Sequence, residues 1–243
     1  YEISACLVGS EMCIRDRLMI PPFEIISTGS QGNAVVLNKI ILIDCGVCFK
    51  KLEPYYHDLK LVLLTHIHSD HFHKTAIKML ASERPTLRFA CGKWLVSDLL
   101  NCGVPARQID VIEPRVMYDY GACNIISFPL SHDVPNCGWK IHFPQSKIIY
   151  ATDTVNLNGV SAPGYDLYLI EANYEEQVIW EKIREKEANG EFAYERRVLR
   201  THLAKSKCDD FLLRNCTAKS EFVYMHCHRD EDDTERKEEC TTE

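Results

Sequence analysis

The 243-residue sequence has no run of about 18 apolar residues, so it lacks the material for a membrane-spanning helix. It shows no convincing secretory signal, which leaves a reducing compartment as the expectation and the cytoplasm as the location. There is no internal repeat of short period and no long linker, which leaves one large domain or two small ones. Its 12 cysteines supply a single Cys-x-x-Cys pair, Cys45-Gly-Val-Cys48, with no second pair to complete a thiolate zinc site. Most of the others stand alone in apolar segments, where cysteine packs as a small hydrophobe.

What the chain does contain is an ordinary globular composition, 46% hydrophobic and 26% charged. The net charge of −7 is uneven: residues 229–243 carry eight acids against three bases. That stretch is expected to be a solvated, disordered acidic tail. At the other end, Cys6-Leu-Val-Gly-Ser-Glu-Met-Cys-Ile-Arg-Asp-Arg17 differs in character from the rest and resembles a translated sequencing adapter. Residues 1–18 are therefore expected to be a non-native or disordered leader, with 19–228 as the folded domain. The near-neutral body neither demands nor forbids a phosphate-bearing substrate.

Within 19–228 short apolar runs at 23–27, 34–38, 40–44 and 61–65 read as strands, separated by turn residues such as Gly29-Ser30-Gln31-Gly32-Asn33. Helical patterns follow at 73–83 and 93–101, then strands at 124–128, 139–143, 147–152 and 166–171. Helices at 174–188 and 205–215 and a strand at 221–225 complete the reading, which predicts a layered α/β domain.

The chemistry concentrates in Thr65-His66-Ile67-His68-Ser69-Asp70-His71, directly after a wholly apolar strand. Chain leaving the carboxyl end of a buried strand is where α/β proteins place ligands. Neutral imidazoles and a carboxylate at such tight spacing are poor packing material and good ligands for zinc-like ions.

The pattern His66-x-His68-x-Asp70-His71 resembles the hallmark of the metallo-beta-lactamase superfamily, which implies a four-layer α-β-β-α sandwich. Further residues fit the same family pattern: Asp44 after an earlier strand, His132 in Leu130-Ser131-His132, Asp153 in Ala151-Thr152-Asp153, and His226 in Met225-His226-Cys227. The resemblance covers roughly residues 23–228. It implies two divalent ions, zinc or else manganese or iron. One would be held by His66, His68 and His132, the other by Asp70, His71 and His226, with Asp153 bridging. His226 is preferred to His228 as the last ligand. Asp44 is expected to orient the histidine loop rather than bind metal.

The order of Glu171-Ala172-Asn173 followed by Thr201-His202-Leu203-Ala204 resembles the YycJ (WalJ) group of presumed exonucleases and, more distantly, ribonuclease Z. Ala204 stands where a serine is usual. This implies a nucleic-acid phosphodiesterase in which a hydroxide shared by the two metals attacks phosphorus. Asp70 fixes the metals and the hydroxide, Glu171 lies behind the ligands, and His202 assists the leaving oxygen. Arg196, Arg197, Arg200 and Lys205 are candidates for holding a phosphate backbone, or else form a solvated face. The alternatives are a thioesterase of the glyoxalase II kind, which would usually end in a helical substrate region, and a metal-stabilised nucleic-acid-binding module without turnover. A true beta-lactamase would typically alter the histidine loop. A beta-CASP nuclease would need an inserted domain, and ribonuclease Z a protruding arm for which the 20 residues between His132 and Asp153 leave no room.

Overall fold

Apolar side chains on both faces of several strands mean that these strands must be covered on both sides. A computed structural model, which describes residues 20–227, shows how this is met. The predicted leader and acidic tail lie outside the described residues, as does His228. The first six strands are β1 (Phe23–Ser27), β2 (Ala34–Leu37), β3 (Ile41–Ile43), β4 (Leu61–Leu63), β5 (Arg88–Cys91) and β6 (Ile109–Val111), and they form one sheet in that order. The next six are β7 (Met117–Asp119), β8 (Asn124–Leu130), β9 (Asn136–Phe143), β10 (Ser146–Ala151), β11 (Leu167–Glu171) and β12 (Glu221–Met225). They form the second sheet in the order β12-β11-β10-β9-β8-β7.

Period-two alternation assigns the layers. Ile41, Ile43, Leu61 and Leu63 of the first sheet pack with Trp139, Ile148, Tyr150, Leu167 and Leu169 of the second in the central core. Their neighbours Leu42 and Val62 face outward onto α1 (Phe49–Leu52), α2 (Lys74–Glu83) and α3 (Val96–Asn101) through Leu52, Ile77, Leu80 and Leu99. On the far side Ile149, Tyr168 and Ile170 meet Phe211 and Leu212 of α6 (Lys205–Asn215). The four-layer α-β-β-α sandwich expected from the resemblance is therefore what the chain forms.

Between β11 and α6, helices α4 (Glu176–Ala188) and α5 (Glu195–Thr201) pack around a small core of their own, made by Tyr174, Ile179, Ile183, Ala193, Val198 and Ala204. Among the described residues no helix is long and apolar enough to cross a membrane.

β3 and β4 run parallel, as do β10, β11 and β12, and β8 shares the direction of β10 across the antiparallel β9. The carboxyl ends of all these strands therefore meet at one edge of the sandwich, where α/β proteins place their ligands.

Candidate metal centre

Asp44 and each predicted ligand lie just past the end of a strand. β3 leads to Asp44, β4 runs into the Thr65–His71 loop, β8 leads to His132, β10 to Asp153, and β12 to His226. Three of these residues turn the chain off its sheet with left-handed backbone: Asp44 at φ 56°, Asp153 at 57° and His226 at 51°. Asp and His tolerate this region better than most residues, yet it still carries strain, and strain of this kind gathers at functional sites.

Asp44 is fully buried and organises the loop. Its Oδ1 accepts from the Thr65 backbone N–H at 2.9 Å and the Thr65 hydroxyl at 2.9 Å. Its Oδ2 lies 2.7 Å from His71 Nδ1 and accepts from the Tyr150 hydroxyl at 3.2 Å. The Thr65 hydroxyl, having given its proton to Asp44, is left as an acceptor for His66 Nδ1, 2.9 Å away. His132 Nδ1 lies 2.9 Å from the Thr201 carbonyl oxygen, which can only accept. These partners fix the tautomers: Nε2 of both His66 and His132 is a lone pair.

Both lone pairs face the same atom. His68 Nδ1 lies 3.2 Å from His66 Nε2 and 3.2 Å from His132 Nε2. A neutral His68 has at most one proton to offer there, so protons alone leave this trio unsatisfied. Burial holds His66 well below its ordinary imidazole range, helped by the neighbouring His71, and burial also lowers His132. Three imidazole nitrogens converging within 4.8 Å suit a divalent cation.

The second group has the complementary imbalance, an excess of negative charge. Asp70, His71 and His226 converge, and Asp153 stands between the two groups. Asp153 Oδ2 is 2.9 Å from His71 Nε2, and its Oδ1 is 3.2 Å from His226 Nδ1 and 3.9 Å from His132 Nε2. Burial opposes charge on His71, but Asp153 and Asp44 on either side raise it to about 10. Burial likewise opposes charge on His226, which Asp153 and Glu171 raise well above its usual range. Asp153, despite complete burial, is held well below the carboxylate range by His71 and His226. Even so, Asp153 Oδ2 and His226 Nδ1 remain buried without a hydrogen-bond partner of acceptable geometry. The residues present fit a pair of cations sharing Asp153.

The remaining predicted residues divide. Glu171 Oε1 lies 2.7 Å from His202 Nδ1 and 3.4 Å from His226 Nδ1, while its Oε2 accepts from the Thr154 N–H at 2.9 Å. Of the four basic candidates, Arg197 lines the main cavity and donates to Asp133 at 2.7 Å. Arg196 is paired with Glu187 on the exposed surface, and neither it nor Arg200 lines the cavity. Lys205 pairs with Asp209 at 2.8 Å and lines a neighbouring cavity instead.

Two residues enter that the sequence reading missed. Asn33 is fully buried and donates from Nδ2 to the Gly29 and Asp70 carbonyls, with His71 Nε2 2.8 Å away. In sequence it belongs to the Gly29–Asn33 turn, and nothing in a lone asparagine signals more. Asp133 lies 3.4 Å from His68 Nε2 and 3.2 Å from His132 Nε2. Its place beside His132 in sequence was the available signal.

The cavity above these groups holds about 520 Å³. His68, Asp70, His132, Asp153, His202 and His226 line it, with residues 27–31, Lys51 and Tyr194 also contributing.

The family model for the beta-lactamase superfamily domain matches residues 39–187. The chain belongs to this superfamily. Among curated relatives of this superfamily member, the exodeoxyribonuclease WalJ of Streptococcus pneumoniae is 25% identical over 228 residues, covering 84% of this chain and 80% of that protein. The exodeoxyribonuclease YycJ of Bacillus anthracis is 25% identical, covering 65% of this chain and 64% of that protein. These matches agree with the YycJ-like motif order. Solved structures share the fold. The metallo-beta-lactamase fold protein YhfI of Bacillus subtilis has a TM-score of 0.65 at 16% identity, covering 86% of this chain and 87% of its own. The short form of human tRNase Z has a TM-score of 0.63 at 17% identity, covering 85% and 92%.

Proposed function

We propose that this superfamily member is a dinuclear-metal phosphodiesterase that cleaves nucleic acid, of the exodeoxyribonuclease kind its curated relatives are named for. The observation that supports it most is the convergence of the His66/His68/His132 trio and the Asp70/His71/His226 group, with Asp153 2.9 Å from His71 and 3.9 Å from His132, and His202 held by Glu171 beside them on one cavity. One ion would be held by His66, His68 and His132, the other by Asp70, His71 and His226, with Asp153 serving both. Zinc suits this nitrogen-rich set, with manganese or iron as the other candidates. Bound divalent cations lower the pKa of water toward neutrality and offset the charge of a phosphodiester.

The chain's own part is to hold and aim. Asp44 and the Thr201 carbonyl lock the rings of His71 and His132, so that the Nε2 atoms face inward. His202 has its Nδ1 committed to Glu171, which leaves Nε2 as the nitrogen able to pass a proton to the departing oxygen. Arg197, which lines this cavity, would meet a substrate phosphate by giving up its hold on Asp133.

The test offers four substrates to metal-analysed protein: bis-p-nitrophenyl phosphate, a labelled DNA duplex, S-lactoylglutathione and nitrocefin. Cleavage of the first two, abolished by EDTA, is the expected result. Turnover of S-lactoylglutathione alone would place the protein with the thioesterases. Metal binding with turnover of none would make it a binding module.

A further inference from the structure

Beside the catalytic cavity lies a second one of about 360 Å³. Asn173, Val198 and Cys227 line both, so the two share a boundary. Their characters differ. The first is lined largely by histidines, carboxylates and hydroxyl-bearing residues, the second by Tyr174, Val178, Ile179, Val198 and Tyr224. This wall is firmly held. The Tyr224 hydroxyl donates to Asp209 at 2.6 Å and its ring has Lys205 Nζ 5.1 Å from the centroid, while the Tyr174 carbonyl accepts from the Lys205 N–H at 2.8 Å.

Charged groups are set among these walls. Glu175, Lys182, Glu195 and Lys205 also line the second cavity. Glu195 is 7% exposed, and its Oε1 takes the Lys186 ammonium.

We infer that this second cavity receives a nucleobase of the polynucleotide whose phosphate lies over the histidine–aspartate cluster. The inference rests on the phosphodiesterase reading and extends it to how the strand is held. Because the cavities share Asn173, Val198 and Cys227, one ligand running over these residues can reach both. A second phosphate is a poor occupant of mostly apolar walls in which Glu175 and Glu195 offset Lys182 and Lys205. An acyl chain would fill the space and leave the charged groups of Glu175, Lys182 and Lys205 without a partner on the ligand. A base has a π face for the tyrosine and aliphatic walls and a polar edge for those groups. Occupancy requires the base to leave its stack, so the bound strand is single at this point.

The experiment measures binding of a fluorescent single-stranded oligonucleotide with cleavage-resistant phosphorothioate linkages, in which an abasic residue is stepped along the chain. With the unmodified protein, one position should weaken binding about tenfold, the scale of one lost base stack, and the others much less. A non-hydrogen-bonding base isostere at that position should restore part of the loss and not all of it. Val178 is 43% exposed, so Val178→Trp can fill the cavity from its open side. With its melting temperature checked, that variant should bind the intact oligonucleotide about as weakly as the unmodified protein binds the abasic one, and the two changes together should add little more. Tolerance of abasic residues at every position overturns the inference, as does full additivity. If bis-p-nitrophenyl phosphate is still hydrolysed in that case, the phosphodiesterase reading stands alone. A protein that neither binds nor cleaves any oligonucleotide overturns both.

Discussion

At the scale of single residues, the site depends on groups that never touch a substrate. Asp44 spends both oxygens on Thr65, His71 and Tyr150, and through Thr65 it sets the tautomer of His66 as well. Asp44→Asn places an amide N–H where three donors already point. Metal affinity should fall about 10–100-fold, as it does when a partner behind a ligating histidine is lost, measured by competition with a chromophoric chelator. Unchanged affinity would mean that Asp44 only packs. His202 makes the opposite case. Its Nδ1 is held by Glu171, and it lines the cavity without belonging to the proposed ligand set. His202→Ala should lower kcat on a phosphodiester by about 10²–10⁴ if the ring passes a proton. Bound metal, read by elemental analysis, should stay at the level of the unmodified protein. A normal kcat would remove His202 from the chemistry.

At the scale of elements, strand ends are cramped, and the cramping has a purpose. Gly46 lies two residues past Asp44, and a Cβ there would stand 1.7 Å from the Asp70 carbonyl oxygen. This close approach ties the β3 loop to the histidine loop, with Asn33 N–H donating to the same carbonyl at 2.6 Å. Gly46→Ala should therefore cost at least about 1–3 kcal/mol in urea unfolding and reduce bound metal together with stability. Away from the site, His142 on β9 lies with its Nε2 2.7 Å from the Tyr165 hydroxyl. Burial pushes its pKa down, and Lys147 and Lys140 push the same way. The unfolded chain therefore takes up a proton at His142 before the folded one does. Its contribution to stability is complete above about pH 6.5 and is lost as pH falls toward the lowered folded value. An NMR titration midpoint for His142 above about 6.5 would contradict this. The strands and helices with strong periodicity were legible in the sequence, among them β1, β12 and the helix Lys205–Asn215. β6 and β7 were not, being three residues each with mixed exposure and no alternation to read. The helix Glu195–Thr201 hid in a segment rich in charge, and 93–101 proved to be a 3-10 turn leading into a shorter helix. The ligand set was legible because its spacing within one loop is distinctive. Asn33, Asp133 and the left-handed turns were not, because they depend on which loops the fold brings together.

At the scale of the whole molecule, the centre lies across the seam of the sandwich. The first sheet contributes Asp44 and the loop from His66 to His71, and the second contributes His132, Asp153, Glu171 and His226. The trio of His66, His68 and His132 draws on both sheets, and so does the group of Asp70, His71 and His226. Cations held there would cross-link two layers that are otherwise joined by the apolar core between them and by hydrogen bonds such as that from Tyr150 to Asp44. Ions that bind the folded chain and not the unfolded one stabilise it by mass action, about 2.7 kcal/mol at a free concentration 100 times Kd. For a chain of this length each kcal/mol moves the melting temperature by about 2–4 °C, so chelation should lower it by about 5–10 °C. Restoring zinc should reverse the shift in proportion to the logarithm of its concentration. His68→Ala removes one nitrogen of the trio from a half-exposed position that carries little packing, so it should abolish most of that metal-dependent shift while leaving the chelated protein's melting point nearly unchanged. If chelator and zinc leave the melting curve where it was, the convergence of imidazoles and carboxylates is not a metal site, and the phosphodiesterase reading loses its foundation.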